Sequence, residues 1–348
     1  MESEATGSQR ARIIKQNYLK GPVLFRADGG RVAKIGLGHL SRCLVLADFL
    51  NSRGRKVYFL MRPLPGGADF VQKKGLETCF LPQEASRQEE LEIIRKFCCE
   101  NRISTVVFDL VDGAELLAQL DKPAGTRIVA TDEFDGEFPS VDVLVDPRLW
   151  AEKVRVCNPP AIYLLGPGYQ VLSKAWLRLK KAKREYPSQV KTVTISMGGA
   201  DPMNLTGLVV LQIKKITRFE KVNVVYGPAS CAPEGNPFGP KFRIHHGPDD
   251  FPDLIASSDL VITSGGKTPY EVASLGIPMI IVPTIEHERL TARAFVERGL
   301  ALSSDLEAGE SIKPALEAVM DIKLRRQMGE KCRLLKVGEK VKELLNFL

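Results

Sequence analysis

Short, apolar and often β-branched runs alternate with amphipathic stretches along the chain from residue 22 onward. This alternation is typical of a parallel sheet whose two faces are covered by helices. In the first half it predicts strands Val23–Ala27, Lys56–Met61, Thr105–Asp109, Arg127–Thr131 and Val141–Val145, with helices over about 38–53, 66–74, 86–101 and 112–120. The pattern restarts at VKTVTISM, and VNVVYG, FRIHH, DLVITS and PMIIVP predict the later strands. The sequence therefore predicts an α/β fold made of two Rossmann-like domains.

Proline and glycine mark the junction between the two halves. The run CNPPAIYLLGPGY and the break Tyr186-Pro187-Ser188 predict a domain boundary between residues 165 and 190. We expect a polar extension over 1–20, a first domain over 21–175, a second over 188–310 and closing helices over 311–348. The longest loop is predicted over 227–240. Two such domains usually bind ligands at the carboxyl ends of their strands, facing each other across a cleft.

Composition narrows the class of protein. The 348 residues are 44% hydrophobic and 26% charged, as in ordinary globular proteins, which excludes collagen-like and disordered chains. No apolar run reaches about 18 residues, and the N-terminus has no apolar signal-peptide core. We therefore expect a cytoplasmic protein without stable membrane insertion. The seven cysteines never form a CxxC pair, so they are predicted to be free and mostly buried thiols, with no metal site.

The net charge of +7 is concentrated in two segments, 174–184 and 321–342. The first holds six basic and no acidic residues, and the second holds eight basic and three acidic residues. We interpret both as solvated helix faces, because no nucleic-acid-binding motif accompanies them. Nucleic acid is therefore not a predicted partner, and the sequence does not indicate an oligomeric state.

A first candidate constellation follows the first strand, in FRADGGRVAKIGLGHLSRCLVLADFL. It places Asp28 in a loop, Gly38 and His39 at a helix start, and Arg42 one turn into that helix. Gly38 and Arg42 are candidates to bind the substrate or the nucleotide. Glycine allows close backbone approach, and free N–H groups at a helix start favour an anion. His39 is one of only four histidines, and a neutral imidazole is suited to take a proton from water near pH 7. The alternative is that His39 only caps or packs against the turn.

Two further constellations follow strands of the second half. In ISMGGADPMNLT, Gly198, Gly199 and Asn204 are candidates to bind phosphate; alternatively Asp201 only caps the helix, with Pro202 at its first position. In DLVITSGGKTPYEVASLG, we expect a pyrophosphate to bind at the helix start and the Glu271 carboxylate to bind a ribose. The alternative is that Glu271 only balances the helix dipole. The candidates in this second run are Ser264, Gly265, Gly266, Thr268 and Glu271.

Smaller features complete the set of candidates. Asp109 ends a strand on the predicted cleft side, where its carboxylate could bind sugar hydroxyls or orient His39. Asp132-Glu133 ends the next strand and is equally explained as a cap. Glu286-His287-Glu288 follows PMIIVP, where His287 is a candidate to touch a base or sugar. The pair His245-His246 is more simply explained as the edge of a strand.

Four of these segments together resemble a known family. They look like the hydrolase of the pseudaminic acid pathway and the related spore-coat polysaccharide proteins. The matching segments are FRADGG with IGLGHLSRCLVLA, then LLGPGYQVL, ISMGGADPMNLT and ITSGGKTPYEVASLGIPMIIVP. That hydrolase cleaves UDP-2,4-diacetamido-2,4,6-trideoxy-β-L-altropyranose. The resemblance covers about residues 23–300 and implies a MurG-like glycosyltransferase fold, with the sugar on the first domain and the nucleotide on the second. It also implies that Tyr169, in the LLGPGYQVL segment, binds substrate.

The resemblance further implies a mechanism. His39 would help water attack the anomeric carbon with C–O cleavage and inversion, without a metal. In our leading hypothesis Asp28 and Asp109 are orienting or sugar-binding groups, and no cofactor is expected. Two departures from the family pattern lie where the sugar or the nucleotide would be recognised. Val111 stands where the family commonly has tyrosine, and Glu286-His287-Glu288 stands where it often has Asn-Gln. The expected function is UDP-sugar hydrolysis; the alternatives are a glycosyltransferase of the same fold and a non-catalytic nucleotide-sugar binding protein.

Overall fold

A computed structural model describes residues 21–30, 35–111, 113–131, 138–151, 162–199, 201, 203–216 and 218–348. Its strands form two sheets in which all the described pairs are parallel. The first sheet contains β1 (Val23–Ala27), β2 (Val57–Met61), β3 (Glu77–Phe80), β4 (Thr105–Asp109), β5 (Arg127–Thr131), β6 (Val143–Asp146) and β7 (Ile162–Leu165). The second contains β8 (Thr192–Ser196), β9 (Lys221–Tyr226), β10 (Phe242–His246), β11 (Leu260–Thr263), β12 (Met279–Ile281) and β13 (Leu302–Ser303).

Helices connect the strands within each half. Those of the first half are α1 (Gly38–Asn51), α2 (Gly67–Gln72), α3 (Arg87–Glu100) and α4 (Ala114–Ala118), and α5 (Lys174–Leu179) follows β7. Those of the second half are α6 (Leu205–Ile213), α7 (Phe251–Ala256), α8 (Thr268–Leu275) and α9 (Glu286–Glu297). The chain closes with α10 (Lys313–Ala318), α11 (Ile322–Leu334) and α12 (Val341–Leu345). The predicted α/β fold of two Rossmann-like domains is confirmed.

The strand order sets the place of a ligand. It runs β3-β2-β1-β4-β5-β6-β7 in the first sheet and β10-β9-β8-β11-β12-β13 in the second. The order therefore reverses between β1 and β4 and again between β8 and β11. At such a reversal the following loops diverge to opposite faces, which opens a crevice at the carboxyl ends of the two strands.

Each sheet is buried between apolar helix faces. Phe25, Phe59 and Leu40 lie in the first core, and Ile195 and Ile262 lie in the second, all without solvent exposure. The last residues of the chain return to the first domain. Leu344 and Leu348 pack into its core, and the carbonyl oxygen of Leu348 accepts hydrogen bonds from Arg55 and Thr105.

Several sequence-based boundaries were wrong. Strands β3, β7 and β13 were not predicted, and the strand expected over Val141–Val145 runs from Val143 to Asp146. The basic segment 174–184 is helical only over α5, because its helix ends at Leu179. Of the cysteines that are described, Cys43, Cys98 and Cys332 are buried, but Cys99 and Cys231 are exposed and Cys79 is half-buried. Within the described ranges, no helix is both long enough and apolar enough to cross a lipid bilayer.

Candidate active site

His39 and Asp109 meet at the strand-order reversal of the first sheet. Strands β1 and β4 are hydrogen-bonded neighbours, and Ala27 pairs with Asp109 in their register. The chain leaves β1 through the Gly29-Gly30 loop and enters α1 at Gly38, so His39 lies in the first turn of that helix. His39 Nδ1 is 2.6 Å from Asp109 Oδ1. No side chain caps the start of α1, so its first N–H groups are not satisfied by a capping side chain.

The Asp109 carboxylate is enclosed by groups from α1. Arg42 Nε donates to Oδ2 over 2.7 Å, and Arg42 Nη2 donates to Oδ1 over 2.5 Å. The Cys43 thiol donates to Oδ2 over 3.3 Å. Burial acts to raise the pKa of Asp109, but the charges and hydrogen bonds of Arg42 and His39 hold this pKa well below its usual range. Burial and the Asp109 charge raise the pKa of Cys43, so this thiol stays protonated.

An anionic Asp109 fixes the tautomer of the neutral imidazole. A carboxylate without a proton only accepts hydrogen bonds, so Nδ1 of His39 must be the donor. In a neutral ring the other nitrogen, Nε2, then carries the lone pair and can accept a proton. The His39 side chain keeps 17% of its surface exposed, whereas that of Asp109 keeps 1%. The pair can therefore act as an accessible base oriented by a buried carboxylate.

Asp28, predicted to orient His39 or bind sugar, lies within a separate group of charges. Arg26 donates to both of its carboxylate oxygens, over 2.7 and 2.8 Å, and the backbone N–H of Arg62 donates to Oδ1 over 2.7 Å. Burial acts to raise the pKa of Asp28, but the hydrogen bond and charge of Arg26 lower it below its usual value. Arg26 also binds the fully buried Glu90 of α3 over 2.7 Å. Asp28 thus ties β1 to β2 and α3 beside the loop that leads to His39.

The strand-order reversal of the second sheet brings glycine-rich loops together. A Cβ atom added to Gly198 would lie 3.3 Å from Ser264 Oγ, so the loops after β8 and β11 are in contact. A Cβ added to Gly227, after β9, would lie 2.4 Å from the carbonyl oxygens of both Gly198 and Gly199. Backbone from three strand ends therefore packs closely at this edge. Such close packing is required of a surface that presents backbone groups to a ligand.

The start of α8 lies beside the first turn of α9. A Cβ added to Gly265 would approach the carbonyl oxygen of Glu288 to 2.5 Å, and one added to Gly266 would lie 3.2 Å from Glu288 Oε1. No side chain caps the first turn of α8, where Thr268 is buried. Glu271 is only 9% exposed, and its Oε1 lies 3.5 Å from the Lys267 ammonium. This edge offers uncapped N–H groups, one cation and a buried carboxylate.

The other predicted phosphate site is occupied by a protein carboxylate. Asp201 accepts hydrogen bonds from the backbone N–H groups of Leu205 and Thr206, over 2.9 and 3.0 Å, at the start of α6. Asp201 and Asn204 both adopt positive φ, of 42° and 51°, as the chain turns into the helix. Asp201 therefore caps α6, which is the alternative that the sequence left open, while Pro202 lies outside the described residues. The start of α8, by contrast, has no side-chain cap.

The remaining candidates are dispersed. Tyr169 is buried in the first core, and its hydroxyl donates to Glu343 of α12 over 2.7 Å. Within Glu286-His287-Glu288, only Glu288 is buried, and Thr284 donates to its carboxylate through both the backbone N–H and the hydroxyl. Val111 is 40% exposed after β4. Asp132-Glu133 lies outside the described residues, and His245-His246 ends β10, an edge strand. In the described part of the chain, no His, Cys, Asp and Glu side chains cluster as metal ligands would.

Sequence reasoning missed Lys267 beside these loops and did not identify the partner of Arg42. Lys267 stands inside the SGGK run, and a basic residue directly after two glycines at a helix start was the signal that could have found it. Arg42 was predicted to bind substrate or nucleotide, but the structure places its guanidinium against Asp109. No sequence pattern indicates that pairing, because the two residues are 67 positions apart.

The carboxyl edges of the two sheets meet at one junction. Leu149 follows the carboxyl end of β6, and its backbone N–H donates to the Tyr270 hydroxyl over 3.0 Å. Tyr270 lies in the first turn of α8, which itself starts at the carboxyl end of β11. Leu149 also packs in one apolar cluster with Tyr270 and Phe295. The carboxyl edges of the two sheets, which hold the candidate binding residues, therefore belong to the same region of the molecule.

Comparisons with known proteins agree with this architecture. No protein-family model matches the chain. It is 24% identical over 298 residues to the spore coat polysaccharide biosynthesis protein SpsG of Bacillus subtilis, covering 82% of this chain and 84% of that protein. A segment of 92 residues, 23% of the chain, is 38% identical to 26% of the UDP-N-acetylglucosamine–N-acetylmuramyl-(pentapeptide) pyrophosphoryl-undecaprenol N-acetylglucosamine transferase of an Exiguobacterium species.

Among solved structures, MurG of Acinetobacter baumannii superposes with a TM-score of 0.66 at 13% identity. The match covers 94% of this chain and 98% of MurG. Identity at this level shows the fold alone. The chain thus consists of two parallel-sheet, Rossmann-like α/β domains and has the fold of the MurG-like glycosyltransferases.

Proposed function

We propose that this protein hydrolyses a nucleotide sugar. Water attacks the anomeric carbon of a UDP-linked deoxy-acetamido sugar, the C–O bond to the diphosphate breaks with inversion, and UDP is released. The observation that carries the proposal is the 2.6 Å contact between His39 Nδ1 and the buried Asp109 carboxylate at the strand-order reversal of the first sheet. It leaves Nε2 of an accessible imidazole as a proton acceptor.

The reaction assigns one step to His39. As the water oxygen bonds to the anomeric carbon, a proton of that water moves to Nε2. The electron pair of the broken C–O bond goes to the β-phosphate oxygen of UDP. Asp109 stabilises the imidazolium that forms, because its negative charge lies against Nδ1. General base catalysis of this kind contributes about 10²- to 10⁴-fold in rate.

The leaving group is expected at the start of α8. Gly265 and Gly266 allow close approach, the uncapped N–H groups of the helix attract the pyrophosphate, and Lys267 adds a positive charge. Thr268 would add a hydroxyl donor in the same turn. We further propose that Glu271 accepts hydrogen bonds from two vicinal ribose hydroxyls. Such groups stabilise the charge that develops on the diphosphate in the transition state.

Other predicted residues border the same two edges. Gly38, at the start of α1, would face the sugar. Gly198, Gly199 and Ser264, which lie in contact, would line the nucleotide side together with Asn204 and His287. Arg42 and Tyr169 already have protein partners, and we assign them no direct ligand contact.

The named relatives support the proposed substrate class. SpsG is described as a polysaccharide biosynthesis protein, and the Exiguobacterium transferase acts, by its name, on a UDP-sugar. We propose that this chain supplies a sugar for a nonulosonic acid or a related surface polysaccharide. Its partner is then a small molecule, a UDP-sugar, rather than a nucleic acid.

A glycosyltransferase of the same fold is the second candidate, and the MurG-like fold is the observation that supports it. The two functions differ in what attacks the anomeric carbon, which is water in one and a sugar or lipid hydroxyl in the other. The purified protein should therefore be incubated with a panel of UDP-, CDP- and GDP-sugars without any acceptor. Release of UDP that falls about 100-fold in His39→Asn supports the hydrolase. Saturable UDP binding without release would contradict it.

A further inference from the structure

We infer that Arg42 is a positioning residue, which fixes the Asp109 carboxylate so that His39 is held as an Nδ1–H tautomer with its basic nitrogen toward the substrate. The inference rests on the proposed function, in which His39 is the base. It replaces the sequence-based expectation that Arg42 binds the substrate or the nucleotide.

The geometry of the guanidinium carries the argument. Nε and Nη2 lie on one edge of the planar group, and they donate to the two different oxygens of Asp109 over 2.7 and 2.5 Å. Such a bidentate pair fixes the rotation of the carboxylate as well as its charge. The side chain of Arg42 is only 8% exposed and that of Asp109 only 1%, so water does not compete for these bonds. Turning Arg42 toward a phosphate would leave Asp109 buried without its cation.

Among the described residues, one turn of α1 supplies the three side chains that hydrogen-bond to this carboxylate. His39, Arg42 and Cys43 stand at positions i, i+3 and i+4 of α1, which form one helix face. This face lies against the end of β4, so one carboxylate meets the imidazole, the guanidinium and the thiol together. The His39 ring therefore receives its orientation through Asp109, and Asp109 receives its orientation from Arg42.

The local charges also bear on the titration of His39. Arg42 Nη2 lies 3.3 Å from His39 Nδ1, so its charge opposes protonation of the ring while the Asp109 charge favours it. The Cys43 thiol, on the same helix, stays neutral. On the neighbouring strand β1, Arg26 is paired with Asp28 of the loop that follows the strand. Removing the Arg42 charge should therefore make the imidazole easier to protonate.

The test compares Arg42→Gln and Arg42→Lys with the matched control Arg178→Gln, which removes an exposed arginine that pairs with Asp253. The NMR titration of the ¹⁵N-labelled His39 ring should show a midpoint about one pH unit higher in Arg42→Gln than in the wild type or the control. Turnover should fall about 100-fold in Arg42→Gln and less in Arg42→Lys. The affinity for UDP should stay within about threefold of the wild type in both variants.

Two results would overturn the inference. The first is a His39 titration midpoint in Arg42→Gln that equals that of the wild type. The second is an Arg42→Gln variant that binds UDP at least tenfold more weakly but turns over at a near-normal rate at saturation, which would make Arg42 a nucleotide ligand. If Arg42→Gln does not fold, Arg42→Lys decides by turnover and UDP affinity, because it keeps the charge but loses the two-bond geometry: turnover below the wild type with near-normal UDP affinity supports the inference, and normal turnover contradicts it. If the wild type hydrolyses no sugar, the proposed function fails, and the NMR titration still tests the role of Arg42.

Discussion

Replacing Asp109 by asparagine tests the buried charge on which the candidate site depends. The side chain is nearly isosteric, but it removes the negative charge that faces Arg42, His39 and Cys43. Because Arg42 is only 7% exposed, its charge would then be buried without a partner. Breaking a buried ion pair in this way costs about 3–5 kcal/mol of folding stability. The amide can also donate to Nδ1, which favours the wrong tautomer and should lower turnover by about 10³-fold or more.

The pH dependence of stability gives this prediction a second test. The folded-state pKa of Asp109 lies below its unfolded value of about 3.9. Its stabilising contribution is therefore complete above that value and is lost as the pH falls through the folded-state pKa. In urea unfolding, Asp109→Asn should be less stable than the wild type by about 3–5 kcal/mol at pH 7, and the difference should shrink below about pH 4.

The matched control is Asp253→Asn, which breaks an exposed ion pair with Arg178. This change should cost less than about 1 kcal/mol. If Asp109→Asn and Asp253→Asn have the same stability at pH 7, the reasoning about the buried carboxylate is refuted.

Three further changes test separate parts of the site. His39→Asn should lower turnover by about 100-fold or more with little change in UDP affinity by calorimetry, and an unchanged rate would remove His39 from the mechanism. Asp201→Ala should lower the free energy of unfolding by about 1–2 kcal/mol, since it removes the cap of α6 and leaves alanine at positive φ. If the variant instead binds UDP more weakly, the nucleotide lies at α6. Lys267→Met should weaken UDP binding about tenfold at low salt and less at high salt, whereas salt-independent binding would argue against a phosphate contact.

The sequence predicted those parts of the fold that are buried on both sides. Strands β1, β4 and β5 have the predicted bounds, because central strands of a parallel sheet are continuous apolar runs. The missed strands β3 and β7 lie at the two edges of the first sheet, and their residues are partly exposed. Their short segments, ETCF and IYLL, lack the long buried run that identifies a central strand. Strand β13 has only two residues and carries no periodic signal.

The sequence predicted the strand-end positions of the candidate site and offered the pairing of Asp109 with His39, but it did not predict the partners of Arg42 and Asp28. His39 and Asp109 follow neighbouring strands, so their proximity could be foreseen from the parallel order. The partners of Arg42 and Asp28 could not be foreseen, because the sequence around a charged residue in a loop or helix does not indicate which opposite charge it pairs with. Glu90 shows the same limit: it lies in a helix rich in charged residues, yet it is fully buried against Arg26.

The most direct test of the account is to run the reaction in oxygen-18 water without an acceptor, using the UDP-sugars, including the trideoxy-altrose compound, as substrates. If water attacks the anomeric carbon, the label should appear in the released sugar and not in UDP, and the sugar should first appear with inverted configuration. Label in the β-phosphate of UDP would mean that the P–O bond breaks instead. That result, or UDP release that occurs only with an added acceptor, would contradict the proposed hydrolysis.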